Sequence, residues 1–81
     1  MSLRVLFFAS LADLAGTREM IVDPEGFTDV NSVFDKLVRD FPSLEKYRSS
    51  VLFALNSEFA DPGAPVRDGD EIAFFPPVSG G

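Results

Sequence analysis

Only one stretch of this chain carries apolar residues at helical spacing for several turns, and that single helix limits what the rest can fold into. Val30, Val33, Phe34, Leu37, Val38 and Phe41 recur three and four apart, with Asp35, Lys36 and Arg39 on the other side. Thr28 is a good N-cap, and Asp29 in the first turn suits the positive end of the helix dipole. Pro42 ends the helix, because the residue before a proline is driven out of the α region.

Strands must supply most of the remainder. Leu3, Val5 and Phe7 alternate with Arg4, Leu6 and Phe8, which reads as a strand with a core face and a second face. Ser10 to Ala15 forms a short helical turn closed by Gly16, and Arg18 to Val22 is a second strand that pairs with the first as an extended hairpin. Residues 43–50 are charged and irregular, with room for one helical turn. Val51 to Leu55 is a third strand, Asn56-Ser57 a turn, and Glu58 to Ala60 a short edge strand. After the loop 61–65, Asp68-Gly69 turns the chain into a final strand, Glu71 to Phe75.

This order predicts an α+β fold of the β-grasp (ubiquitin-like) type, a mixed sheet on one main helix, over residues 1–75, with residues 76–81 as a flexible C-terminal tail. A ferredoxin-like split βαβ would need a second long helix that the chain lacks. At 81 residues it is one domain, burying about 60–65% of its unfolded surface by size scaling. Leu3, Val5 and Phe7, with Ile72 and Phe74, should meet Val33, Phe34 and Leu37 under the helix. Period-two alternation then sends Phe8 and Phe75 to the opposite face or the end of the sheet. With Phe59 on the edge segment, they make a candidate partner surface; the competing reading is that loops bury these rings.

Composition excludes much chemistry. There is no cysteine and no histidine, so the chain offers no disulfide, no thiolate metal ligand and no imidazole base. Carboxylates remain, but they rarely suffice alone outside glycoside and aspartyl chemistry, and the chain is poorly equipped to be a catalyst by itself. Thirteen acidic against seven basic residues give a net charge of −6. That charge disfavours nucleic acid and anionic membrane and suits docking to a basic protein surface, although solubility alone would also explain it. No signal peptide, lipidation motif or spanning apolar run is present, which makes a soluble cytoplasmic protein the expectation.

The end of the chain offers a different working group. Gly80 and Gly81 carry no Cβ, so they can enter a slot too narrow for other residues. Pro76 and Pro77 hold an extended backbone that points the tail away from the body, and from Pro76 through Val78 and Ser79 to Gly81 it can reach roughly 20 Å at ~3.3 Å per residue. A stiff base, a bare tip and a terminal carboxylate suggest that the C-terminus itself does the work; the bland alternative is a frayed end.

The final Phe-Phe-Pro-Pro-Val-Ser-Gly-Gly, preceded by Asp68-Gly69-Asp70-Glu71-Ile72-Ala73, resembles the small-subunit family of molybdopterin synthase, the sulfur carriers of molybdenum cofactor biosynthesis. Val5-Leu6-Phe7-Phe8-Ala9 and Ala54-Leu55-Asn56 are similar to that family in the same order. Leu11-Ala12-Asp13 departs from it: members often carry an arginine there, and the ion pair that the resemblance implies between it and the partner subunit has no counterpart at Ala12. The resemblance implies that Gly81 is adenylated at the expense of ATP by a ubiquitin-activating-like adenylyltransferase, and that a sulfurtransferase converts it to a thiocarboxylate. The tail would then enter the large subunit and give sulfur to cyclic pyranopterin monophosphate, in a heterotetramer of two large and two small subunits. Phe75, Phe8 and Phe59 match positions that help bind the large subunit and the activating enzyme. No cofactor or metal of the chain's own is implied. Thiamine or transfer RNA thiolation, a ubiquitin-like protein modifier and a plain interaction domain are the other readings.

Overall fold

Alternation in the first strand, β1 (Leu3–Phe7), puts Leu3, Val5 and Phe7 in the core and leaves Arg4 exposed and Leu6 half-buried. The remaining elements are α1 (Ser10–Ala15), β2 (Glu19–Val22), α2 (Val30–Asp40), a 3-10 segment (Pro42–Tyr47), β3 (Leu52–Leu55), β4 (Glu58–Ala60) and β5 (Glu71–Phe75). They come from a computed structural model that describes residues 2–77. The strands form one five-stranded sheet in the order β2-β1-β5-β3-β4. β1 and β5 lie parallel at its centre, and every other neighbour is antiparallel. This is the β-grasp arrangement expected from the sequence.

Helix α2 starts at the first residue of its apolar pattern, one residue later than a cap at Thr28 would set it. Its N-cap is Asp29 and not Thr28: the Asp29 carboxylate accepts the Ser32 N–H at 2.8 Å, and the Ser32 hydroxyl accepts the Asp29 N–H at 3.2 Å. That reciprocal capping box satisfies two backbone donors at once, which Thr28 could not match. The Thr28 carbonyl instead accepts the Val66 N–H at 3.2 Å and stays with the neighbouring loop. Two other boundaries move by one residue. Val51 is drawn out of β3 because its N–H donates to the Tyr47 carbonyl at 2.7 Å, closing the helical segment before it. β2 begins at Glu19, one residue after Arg18. The charged stretch after Pro42 is anchored by Leu44, which is buried.

The core forms where one face of the sheet meets α2. Val33, Phe34 and Leu37 are buried against Leu3, Val5, Phe7, Ile72 and Phe74, as the alternation predicts. Phe74 is the hub: its ring centroid lies 5.7 Å from Phe34, 5.3 Å from Phe53 and 6.2 Å from Phe7. Stacked, tilted and edge-on contacts of this kind add to the stabilisation from the area that each ring buries. Gly16 ends α1 in the left-handed region at φ 74°, where a Cβ would strain the backbone. No helix among the described residues is long and apolar enough to cross a membrane.

Phe74→Ala should therefore lower folding stability by about 3–5 kcal/mol, the range for truncating a fully buried aromatic ring. Chemical denaturation measures it, and a loss below about 1 kcal/mol would mean that Phe74 is not the centre of the core.

Candidate partner face and tail base

The residue after Phe74 has the opposite fate. Phe75 points to the face of the sheet away from α2, where it is half-buried. Phe8 stacks on it with ring centroids 4.5 Å apart and planes 14° from parallel. Phe59, on β4, lies 6.2 Å from Phe75 and is 79% exposed, while Phe8 is 42% exposed. The three aromatics named from the sequence thus come together into one shelf that loops do not cover.

The register explains the meeting. Leu6, Ala73, Ala54 and Phe59 stand opposite one another across β1, β5, β3 and β4, and Leu52 stands opposite Phe75 in the next row. Leu52 is exposed and extends the shelf. Alternation against buried Phe53 places Leu52 on this face, but its pairing with Phe75 needs the strand register, which no short-range pattern encodes.

Phe8 reaches the shelf through a strained junction. Its N–H donates to the Phe74 carbonyl at 3.1 Å, so it still belongs to the ladder. Ala9 then takes φ 51° and ψ −129°, and its carbonyl accepts the Ala12 N–H at 3.0 Å as α1 begins. A non-glycine residue at positive φ costs about 1–3 kcal/mol, held here by the ladder before it and the helix after it.

Beside the shelf lies an ion-pair array. The Arg4 guanidinium donates to both Glu19 oxygens, at 2.8 and 3.1 Å, and to Glu71 at 3.1 Å, tying β2, β1 and β5 together. The hydrogen bonds from Arg4 hold the Glu19 carboxyl below its ordinary range, against a smaller opposing effect of desolvation. Ile21, exposed on the same face, stands opposite Arg4.

Pro76 and Pro77 leave the sheet directly from Phe75, the first half-buried and the second exposed. The other tail residues named from the sequence, Val78, Ser79, Gly80 and Gly81, lie outside the described residues. At the departure noted above, Ala12 is half-buried against the core and Asp13 is exposed. Among the described residues, no group of three or more His, Cys, Asp or Glu is placed to hold a metal ion.

Five strands in this order, gripping one main helix and leaving an aromatic shelf where the last strand runs out into prolines, define a ubiquitin-like β-grasp protein. The chain belongs to the ThiS family, whose model matches residues 5–81. It is 39% identical to the molybdopterin synthase sulfur carrier subunit of Arabidopsis thaliana, over 98% of this chain and 82% of that protein. The crystal structure of SAMP1, small archaeal modifier protein 1, from Haloferax volcanii superposes with a TM-score of 0.83 at 38% identity, covering all of both chains. A chain from the complex of subunits 1 and 2 of molybdopterin-converting factor from Helicobacter pylori shares the fold, with a TM-score of 0.68 at 24% identity and full coverage of both chains.

Because the folded state lowers the pKa of Glu19, its pair with Arg4 stabilises the protein above the ordinary glutamate range. That contribution is lost as pH falls through the depressed value. The thermal midpoints of the native protein and Arg4→Ala should differ near neutral pH and converge in acid. A difference independent of pH would mean that Arg4 acts through packing alone. Both groups are exposed, so the effect should be small and weaken with salt.

Proposed function

We propose that this chain is the sulfur-carrier subunit of a molybdopterin synthase and that its working group is the carboxyl of Gly81. The observation that carries the reading is the Phe8–Phe75–Phe59 shelf at the root of Pro76-Pro77, in a chain whose family match runs through residue 81. Supporting it are the full-length likeness to proteins named sulfur carrier subunits of that enzyme and a side-chain inventory without cysteine or histidine.

The chemistry needs no side chain of the carrier. A carboxylate is a poor electrophile. Attack of its oxygen on the α-phosphorus of ATP expels pyrophosphate and gives an acyl adenylate, a mixed anhydride. The outer sulfur of a persulfide on the donor protein then attacks the carbonyl carbon and AMP leaves; a second thiol attacks the donor cysteine's sulfur in the resulting acyl disulfide, forming a disulfide with it and releasing the thiocarboxylate. This soft nucleophile stays charged near neutral pH; its sulfur bonds to a carbon of cyclic pyranopterin monophosphate, and water then cleaves the resulting thioester, leaving sulfur on the product and restoring the Gly81 carboxylate. A dithiolene holds two sulfurs, so each product molecule takes two deliveries.

The catalytic groups then belong to partners: an adenylyltransferase like the ubiquitin-activating enzymes, a sulfurtransferase, and the synthase large subunit. The shelf docks the carrier on the large subunit, and the tail of residues 76–81 carries the thiocarboxylate into its active site, two carriers flanking a large-subunit dimer. These encounters take place in the cytoplasm. The likeness to small archaeal modifier protein 1 supports a second reading, in which the activated Gly81 forms an isopeptide with lysines of other proteins. Mass spectrometry of the chain from its native source separates the two, as a sulfur-for-oxygen mass gain or as conjugates of higher mass.

Removing Gly81, or adding one residue after it, should abolish sulfur transfer in a reconstituted synthase assay and leave the thermal midpoint nearly unchanged. Synthesis of molybdopterin by the truncated chain would refute the carrier reading. Gly80→Val should likewise keep the fold and block adenylation or sulfur delivery, because a β-branched side chain widens the tail and resists positive φ. Normal rates in both half-reactions would show that no narrow slot receives it.

A further inference from the structure

The face of the sheet away from α2 carries more apolar surface than the shelf alone. Among the described residues, Phe59 at 79% and Ile21 at 61% are the most exposed large apolar side chains. Phe59 lies on edge strand β4 and Ile21 on edge strand β2, both on this face. Four strand spacings separate them, about 19 Å at ~4.8 Å each. Phe8, Phe75 and Leu52 lie between.

Charge is sparse on the same face. Its strand residues hold Arg4, Glu19 and Glu71, and Arg4 hydrogen-bonds both carboxylates. These three sum to −1, so the other surfaces carry the remaining −5 of the chain's −6. Two copies of the chain therefore repel each other through the rest of their surfaces. Only here does exposed apolar area outweigh unpaired charge, and a second copy brings a face of the same chemistry to it.

We infer that the free chain forms a weak symmetric dimer by stacking this face on that of a second copy. A two-fold axis running along the strands between the two sheets lays β2 of one copy over β4 of the other and β5 over β5. It brings each Ile21 to the edge where the other copy's Phe59 projects, and aromatic surface meets aromatic surface at the Phe75 end. An axis across the strands would instead lay Arg4 and Glu71 of one copy over Phe8 and Phe75 of the other, desolvating charge against apolar rings. Five strands about five residues long give roughly 400 Å² in plan per copy. The pair then buries roughly 800 Å², short of the ~1,200 Å² at which stable complexes begin. Such a dimer shields the aromatic rings of the idle chain and gives way to a tighter partner. That exchange rests on the reading that the shelf docks on the large subunit.

Sedimentation equilibrium of the full-length chain from micromolar to millimolar concentration, at low and high salt, tests the dimer. It should appear toward the upper end and strengthen with salt, which screens the repulsion between two acidic copies. Ile21→Ser and Phe59→Ser should each raise the dissociation constant about tenfold or more, with thermal midpoints unchanged because both side chains are exposed. The chain has no cysteine, so Ile21→Cys and Phe59→Cys proteins can be mixed and treated with a short bis-maleimide. The mixture should cross-link, and neither protein alone should. A monomer at every concentration and salt would overturn the inference, as would a dimer that salt weakens, that either serine variant leaves intact, or that cross-links within one cysteine variant alone. Phe75→Ala should lose both the dimer and, by calorimetric titration, affinity for the large subunit. If it loses only the dimer, the inference stands and the shelf reading fails. If the native chain is monomeric while Phe75→Ala still weakens large-subunit binding, the shelf reading stands and the dimer is wrong.

Discussion

The parallel pairing of β1 with β5 is the constraint on which the rest of the structure depends, because it sets Phe7 opposite Phe74 and so decides what each face of the sheet can do. Leu3, Val5, Phe7, Ile72 and Phe74 all reach the core under α2 only in this register. A slip of β5 by one residue against β1 would bury Phe75, expose Phe74 and send Glu71 beneath the helix. Two unpaired strands cannot be joined in parallel by a tight turn, so the long connection through α2 and the short strands follows from the same pairing.

The outer face is a consequence of that choice. Once the odd positions of β1 are committed to the core, Arg4, Leu6 and Phe8 must face the other way. There Arg4 links three strands through Glu19 and Glu71, and Phe8 stacks on Phe75. Electrostatic and aromatic regions thus sit side by side on a face that no helix covers. Strain at Ala9 belongs to the same arrangement: the ladder holds Phe8 at the shelf while α1 must begin at the next turn.

Much of this was legible in the residues because local rules and tertiary packing agree. The alternation of β1 and β5, the helical period of α2 and the turn at Asn56-Ser57, which takes positive φ at both residues, each name their structure directly. What escaped reading depends on partners distant in sequence or on competition between neighbours. Thr28 and Asp29 are both good caps, and only the position of Ser32 and the pull of Val66 on the Thr28 carbonyl decide between them. Leu52 and Arg18 look ordinary in the sequence. The place of Leu52 beside Phe75 comes from the β3–β5 pairing, and that of Arg18 from the Phe7 N–H that its carbonyl accepts, neither of which a local pattern encodes.

Adjacent residues of β5 divide the labour of the two faces. Phe74 is wholly buried and Phe75 only half so, although they are neighbours on one strand. Stability can therefore be concentrated on one face and partner contact on the other, with little interference between them. The prolines follow Phe75 without an intervening residue, so the point where the tail departs is fixed by the same strand that builds the shelf. The root of the tail at Pro76 therefore sits at a fixed place relative to the Phe8, Phe75 and Phe59 rings, set by the register of β5 and not by a loop.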